Sequence, residues 1–173
     1  MSNHMTVLVT GGAGYIGSHM VLALLDAGHQ PVILDDFSTG HEELVPNDVP
    51  VFRGNVADAA LVAEICKSYD IDVVAHFAAS IVVPESVTDP LKYYLNNTAS
   101  TIGFIAACVQ SGINRFVFSS TAAVYGNQDR NPITEDASTQ PENPYGTSKL
   151  MSENIFRDCA RATNISYVIL RYF

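Results

Sequence analysis

The sequence predicts an α/β protein: a doubly wound, mostly parallel sheet with helices on both faces. Three observations predict it. Short β-branched runs alternate with longer helical stretches along the 173 residues, as when parallel strands are joined by crossover helices. Runs such as "VLVT" and "DVVAHF" show no clean apolar–polar alternation, which suits strands covered on both faces. The first strand also runs straight into a glycine loop that opens a helix.

The elements follow in order. Residues 6–10 ("TVLVT") form the first strand, and a helix over about 15–27 is closed by Gly28. "PVILD" at 31–35 is the second strand and "PVFRG" at 50–54 a third, weaker one. Residues 58–69 read as a helix capped by Asp58, and 72–77 as a buried strand. One long helix is expected over 87–111, irregular in its first turn around Pro90 and ended by Gly112. A strand follows at 115–120. After a loop rich in Asn, Pro and Thr, a helix runs over 144–162, with Pro144 in its first turn. The last strand is 166–172.

Composition excludes several functions. A hydrophobic share of 47% suits one domain with a real core. A net charge of −9 argues against nucleic acid and against an anionic membrane surface. No apolar run approaches the ~20 residues of a membrane span, and no signal peptide is expected. The three cysteines are far apart and form no CxxC pair, so buried, reduced thiols and a cytoplasmic setting are expected. The five histidines do not cluster, and no metal is expected. "MSNHM" reads as a leftover over residues 1–4, with Met5 as the natural first residue.

The glycine loop, "TGGAGYIGSH", holds Gly11-x-x-Gly14-x-x-Gly17 as well as Gly12-x-Gly14-x-x-Gly17. Such glycines permit a tight turn and let the backbone approach a pyrophosphate. The amides of Tyr15 and Ile16 then lie at the positive end of the helix. Asp35 closes the second strand 18 residues after Gly17, and Asp36 follows. A carboxylate there accepts the adenosine ribose hydroxyls and repels a 2′-phosphate, so NAD is expected over NADP. No arginine stands beside it in the sequence. Read alone, two aspartates are also what a turn would carry.

Tyr145 and Lys149 are one helical turn apart, on one face. An ammonium there would lower the phenol's pKa from about 10 and suit it to take a proton from a substrate hydroxyl. Thr121, in "SSTAAVYG" at the carboxyl end of the fifth strand, offers a hydroxyl to hold the substrate oxygen. Without these neighbours, Ser119, Ser120 and Thr121 would pass for ordinary turn residues.

At this point the chain resembles the extended short-chain dehydrogenase/reductase family, in particular its UDP-glucose 4-epimerases. "VTGGAGYIGSH", "HFAA", "YYLNN", "SSTAAVYG", "PYGTSKL" and "LRYF" occur in the family's order and span Met5 to Phe173. The resemblance implies a Rossmann-like NAD-binding domain over 5–173, with a C-terminal substrate domain absent from this chain. Phe173 falls at the end of a strand, on the ligand side of such a sheet, so the chain is expected to be the first part of a longer protein or a shortened form of one. The resemblance places the catalytic groups on Tyr145, Lys149 and Thr121. It places the pyrophosphate against Gly11, Gly14, Tyr15, Ile16 and Gly17, and the adenosine against Asp35, Asp36, Phe37, Ser38, Thr39 and Gly40. Phe77, Ala78, Ala79, Ser80 and Ile81 would lie under the dinucleotide with Asn96 nearby, and Phe173 would line the nicotinamide and sugar pocket.

Two positions depart from the pattern. Asn55, before Val56, stands where many relatives carry an acid that bonds the adenine amine, and its side-chain oxygen is expected to accept that bond. Ile81 replaces a lysine, removing a cation near the cofactor. Related dehydratases carry Asp-Glu after the threonine, where this chain has Ala122 and Ala123, so elimination is disfavoured. The implied activity is interconversion of UDP-glucose and UDP-galactose through a 4-keto sugar. The alternatives are another UDP-sugar (N-acetylated or uronic), an NAD-binding regulatory protein, and a fragment that binds NAD but catalyses nothing. A homodimer is implied, with helices 87–111 and 144–162 pairing across a two-fold axis. Met151, Ile155 and Phe156 fit an apolar stripe for that contact, and equally for an intramolecular one.

Overall fold

The computed structural model describes residues 4–173, so three of the four residues read as a leftover lie outside the described residues. Six strands form one parallel sheet: β1 Thr6–Thr10, β2 Gln30–Asp35, β3 Val51–Arg53, β4 Val73–His76, β5 Arg115–Thr121 and β6 Ser166–Tyr172. Their order is β3-β2-β1-β4-β5-β6. The direction of progression reverses between β1 and β4, and ligands in such sheets bind at the carboxyl ends beside that switch point. Thr10 pairs with His76 across it, so the start of the glycine loop and the end of β4 lie together.

Apolar packing covers both faces. One side buries Leu8, Leu34, Val74, Phe104, Phe116 and Phe156; the other buries Val7, Val9, Val21 and Ile33. Each fully buried large side chain contributes about 1.5–3 kcal/mol, so the layers hold the strand ends rigidly. Helix α1 (Tyr15–Asp26) crosses from β1 to β2, and α2 (Ala59–Tyr69) starts at Asp58, whose side chain accepts from the amides of Ala60 and Leu61.

The single helix expected over 87–111 is a string of pieces: α3 Val83–Thr88, α4 Pro90–Tyr93, a π-helical turn Tyr94–Ala99, and α5 Ser100–Gln110. Pro90 has no N–H to continue α3. Asp89 instead caps α4, accepting from the Lys92 amide at 3.3 Å. The π turn adds a residue to its coil, as is common near functional sites, and it points Asn97 inward, fully buried. Helix α6 spans Pro144–Ala162, with Asn143 accepting from the Gly146 amide. Phe156 packs into the core against Phe116 and Phe118. Of the suggested dimer stripe on α6, Ile155 is half-buried and Met151 is exposed.

Candidate active site

The glycine loop is built so that side chains are excluded. Gly11 adopts φ 68°, and a Cβ there would lie 2.7 Å from the Ala78 nitrogen. A Cβ on Gly17 would lie 2.0 Å from the Gly11 oxygen, and one on Gly14 would lie 3.3 Å from it. The loop therefore lies flat against the N-terminus of α1. That helix has no side-chain cap, which leaves its first-turn N–H groups to a ligand. Tyr15 and Ile16 are exposed at its mouth. This cradle fits a pyrophosphate.

Asp35 is buried and does two structural jobs. One oxygen accepts from the Ala13 amide at 2.9 Å, and the other from the Phe37 amide at 2.8 Å. The second bond holds Phe37 at φ 56°, a left-handed conformation costly for a bulky residue. Each oxygen keeps a further lone pair for a ribose hydroxyl. Asp36 is exposed. Burial pushes its carboxyl up, but hydrogen bonds from Ser38 and Asn55 outweigh this and hold it below the usual range. Thr39 is exposed, and a Cβ on the half-buried Gly40 would meet Ala13 at 2.9 Å.

Asn55 serves its own turn. Its amide nitrogen donates to Asp36 at 3.1 Å, and its oxygen accepts from the Ala57 amide at 2.9 Å. Only the oxygen's second lone pair remains for an adenine amine, while Val56 beside it is buried. An arginine distant in sequence does stand near Asp35 in the fold. Arg53 is its register partner on β3 and lies over the Phe37 ring at 4.2 Å. Its charge is paired with Glu42, which opposes its use for a 2′-phosphate.

Residues 77–80 are half-buried beside the loop, and Ile81 is exposed. Asn96 donates to the Ser80 hydroxyl at 3.0 Å. The stronger clamp is Asn97, which the sequence reading passed over. Its oxygen accepts from the Ser80 amide at 2.8 Å. Its nitrogen donates to the Ser80 carbonyl at 2.9 Å and to the Ser148 hydroxyl at 3.1 Å. Ser148 in turn donates to the Tyr145 carbonyl at 2.7 Å, so one buried amide ties the 77–81 loop to the helix carrying Tyr145. An asparagine amid apolar helical positions was the available signal.

Thr121 caps the short 3₁₀ turn Ala122–Tyr125, its hydroxyl oxygen accepting from the Ala123 amide at 3.1 Å. Its proton is thereby left to be donated elsewhere, the Tyr145 phenol being within its reach. Tyr145 is half-buried. Burial pushes its phenol above the ordinary value, while the Thr121 hydroxyl pulls it down. The ring meets Tyr93 edge to face, 6.4 Å between centroids. Lys149 is only 2% exposed. It donates to the Ser119 carbonyl at 2.9 Å and lies over the Phe118 ring at 5.0 Å. Burial pushes its ammonium down to about 7.

The expected electrostatic effect of the lysine on the tyrosine is thus corrected. Burial, not attraction between the two, governs both groups, and it disfavours charge on each. The burial favours a neutral phenol and a readily neutralised amine.

Glu153, one turn beyond Lys149, is fully buried. It accepts from Ser120 at 2.5 Å, from Arg171 at 3.0 and 2.7 Å, and from Arg157 at 2.6 Å. Burial raises its carboxyl, but Arg171 and Ser120 outweigh that and lower it. Arg171 also lies over the Tyr125 ring, on which the exposed Phe173 stacks. No cluster of three His, Cys, Asp or Glu suited to a metal occurs among the described residues.

A glycine cradle at the switch point, an acid closing β2, and Thr121 at the end of β5 with Tyr145 and Lys149 on α6 are carried on a Rossmann-like α/β domain. The model of the NAD dependent epimerase/dehydratase family matches residues 7–173, and the chain belongs to that family. It is 54% identical over 167 residues to a UDP-glucose 4-epimerase of Azospirillum brasilense, covering 96% of this chain and 48% of that protein. The structure is similar to that of a UDP-glucose 4-epimerase from Brucella ovis in complex with NAD. The TM-score is 0.95 at 43% identity, covering 98% of this chain and 52% of that one. An enzyme of the same name from Stenotrophomonas maltophila, with bound NAD and formylated UDP-arabinopyranose, gives 0.95 at 39%, covering 98% and 53%. The chain spans about half the length of the curated relatives it matches.

Proposed function

We propose that this chain is the NAD-binding half of a nucleotide-sugar epimerase that interconverts UDP-glucose and UDP-galactose. The observation that carries the reading is Thr121 at the carboxyl end of β5 with Tyr145 at the start of α6, where Asn97 ties α6 through Ser148 to the 77–81 loop and Lys149 ties it to the Ser119 carbonyl of β5. The glycine loop would hold the pyrophosphate, Asp35 the adenosine ribose, and residues 77–81 the underside of the dinucleotide. NAD, when bound, supplies a hydride acceptor that also returns the hydride. Thr121 donates to the sugar 4-oxygen and orients it. Tyr145, in its phenolate form, would take the proton of the 4-hydroxyl and later give it back, with positive charge on Lys149 one turn away and on bound NAD favouring that form. Ala122 and Ala123 offer no acid–base pair, which favours oxidation and re-reduction over elimination.

The sugar-selecting residues would lie in a C-terminal substrate domain outside these 173 residues, with Phe173 at the join. A homodimer is part of the proposal. Val87, Leu91, Leu95, Ile102 and Met151 are exposed apolar residues on the helices named for it, a patch that suits an interface. A cytoplasmic setting fits the three free thiols; no helix among the described residues is long and apolar enough to cross a membrane. The test is Tyr145→Phe in the complete polypeptide, assayed with a panel of UDP-sugars. Interconversion of UDP-glucose and UDP-galactose should be lost while NAD remains bound. Turnover at the unaltered rate would refute the assignment.

A further inference from the structure

His76 takes no part in the chemistry above, yet it is buried at the switch point itself, 1% exposed. It stacks between Phe104 at 4.8 Å and Phe118 at 5.9 Å. Both ring nitrogens are engaged: Nδ1 with the Thr10 hydroxyl at 2.7 Å, and Nε2 with the Thr101 hydroxyl at 3.1 Å. We propose that His76 is a positioning residue, locked as its Nε2–H tautomer. It forms the centre of a one-way hydrogen-bond relay that seats the Ala78 amide against the glycine loop and fixes the Asn97 carbonyl against α6.

The direction follows from counting protons. A threonine hydroxyl has one to give. Thr101 gives its proton to the Asn97 carbonyl at 2.7 Å, so it accepts from His76 Nε2–H. The neutral ring then has Nδ1 as acceptor, and Thr10 donates to it. Thr10 is left to accept, which it does from the Ala78 amide at 3.3 Å. The relay runs from Ala78 N–H through Thr10, His76 and Thr101 to the Asn97 carbonyl, with every proton placed once.

The reverse tautomer would take the Thr101 proton and break its 2.7 Å bond. A protonated ring would leave the Thr10 proton with no acceptor. Burial and the Lys149 ammonium beyond the Phe118 ring also hold the imidazole neutral, pushed down to about 3.

Both ends of the relay matter to the site. Ala78 is the residue that Gly11 approaches too closely to bear a side chain. The Asn97 carbonyl also accepts from Ser152 of α6 at 2.8 Å, and the Asn97 side chain clamps Ser80. The inference that His76 serves cofactor binding rests on the proposed NAD site; its tautomer does not.

The experiment labels the imidazole nitrogens of the unaltered chain with ¹⁵N and follows them by NMR. The other four histidines are exposed or half-exposed. One ring should stay neutral with the Nε2–H pattern from about pH 8 to about pH 4.5. Five titrating rings, or a non-titrating ring with its proton on Nδ1, would overturn the relay.

NAD is then titrated against the unaltered chain, Thr10→Val and Thr10→Ser. Thr10→Val should weaken binding about tenfold, and Thr10→Ser should restore it to within about threefold. Equal affinity for Thr10→Val, or no rescue by Thr10→Ser, would overturn the positioning role. If Thr10→Val does not fold, Thr10→Ser and Thr101→Ser replace it. Each keeps the hydroxyl, so each should bind NAD within about threefold of the unaltered chain, and a loss beyond about tenfold would overturn the role. Should the unaltered chain fail to bind NAD, the proposed function fails while the imidazole spectrum still decides the relay.

Discussion

Replacing Lys149 with methionine should make this protein more stable at neutral pH while removing a proposed catalytic group. The ammonium is 2% exposed, and burial takes it from 10.5 down to about 7. Its folded pKa is depressed, so above pH 7 the unfolded chain binds the extra proton and stability rises with pH, at about 1.4 kcal/mol per unit up to 10.5. At pH 7 the lysine therefore costs the fold about 4 kcal/mol. Methionine fills a similar volume without charge, but leaves the Ser119 carbonyl, 2.9 Å from the lost Nζ, without that donor, at about 1–3 kcal/mol. The net is a gain of about 1–3 kcal/mol for Lys149→Met at pH 7, which the unaltered chain recovers toward pH 10. Urea unfolding of both chains across that range gives the difference directly. A less stable variant at pH 7, or a difference that does not change with pH, would refute the burial argument.

Two other changes probe the scaffold. Gly17→Ala drives a Cβ to 2.0 Å from the Gly11 oxygen and should cost about 3 kcal/mol of stability and at least ~10-fold in NAD affinity; calorimetry reading both unchanged would mean that the close approach is not needed. Glu153→Gln leaves Arg171 and Arg157 without their shared carboxylate and should lower unfolding free energy by about 3 kcal/mol, with a loss below about 1 kcal/mol in denaturant contradicting the buried network.

Strand and helix alternation, the glycine spacing and the Tyr145–Lys149 interval were legible because they rest on local rules: strand burial, turn sterics and helical period. The α6 helix begins at Pro144 as its capping residues require. The 83–110 segment was not legible in detail, because a π turn depends on what packs around it. That extra residue is why Asn97, rather than Asn96 alone, reaches Ser80 and Ser148.

The charge states were hidden for a related reason. The spacing of Tyr145 and Lys149 suggests mutual attraction, but the depth of Lys149 in the core decides its titration, and depth is a tertiary property. The same holds for His76 and Glu153, whose partners come from residues 25 and 33 positions away.

The central claim is that the Gly11–Gly17 loop, Asp35 and residues 77–81 form one dinucleotide site. Titration of NAD and NADP against the chain by calorimetry tests it most directly. Saturable 1:1 binding of NAD is predicted, with NADP at least ~10-fold weaker because Asp35 and Asp36 would face the 2′ position and Arg53 is paired with Glu42. No heat of binding with NAD, or equal affinity for both, would contradict it.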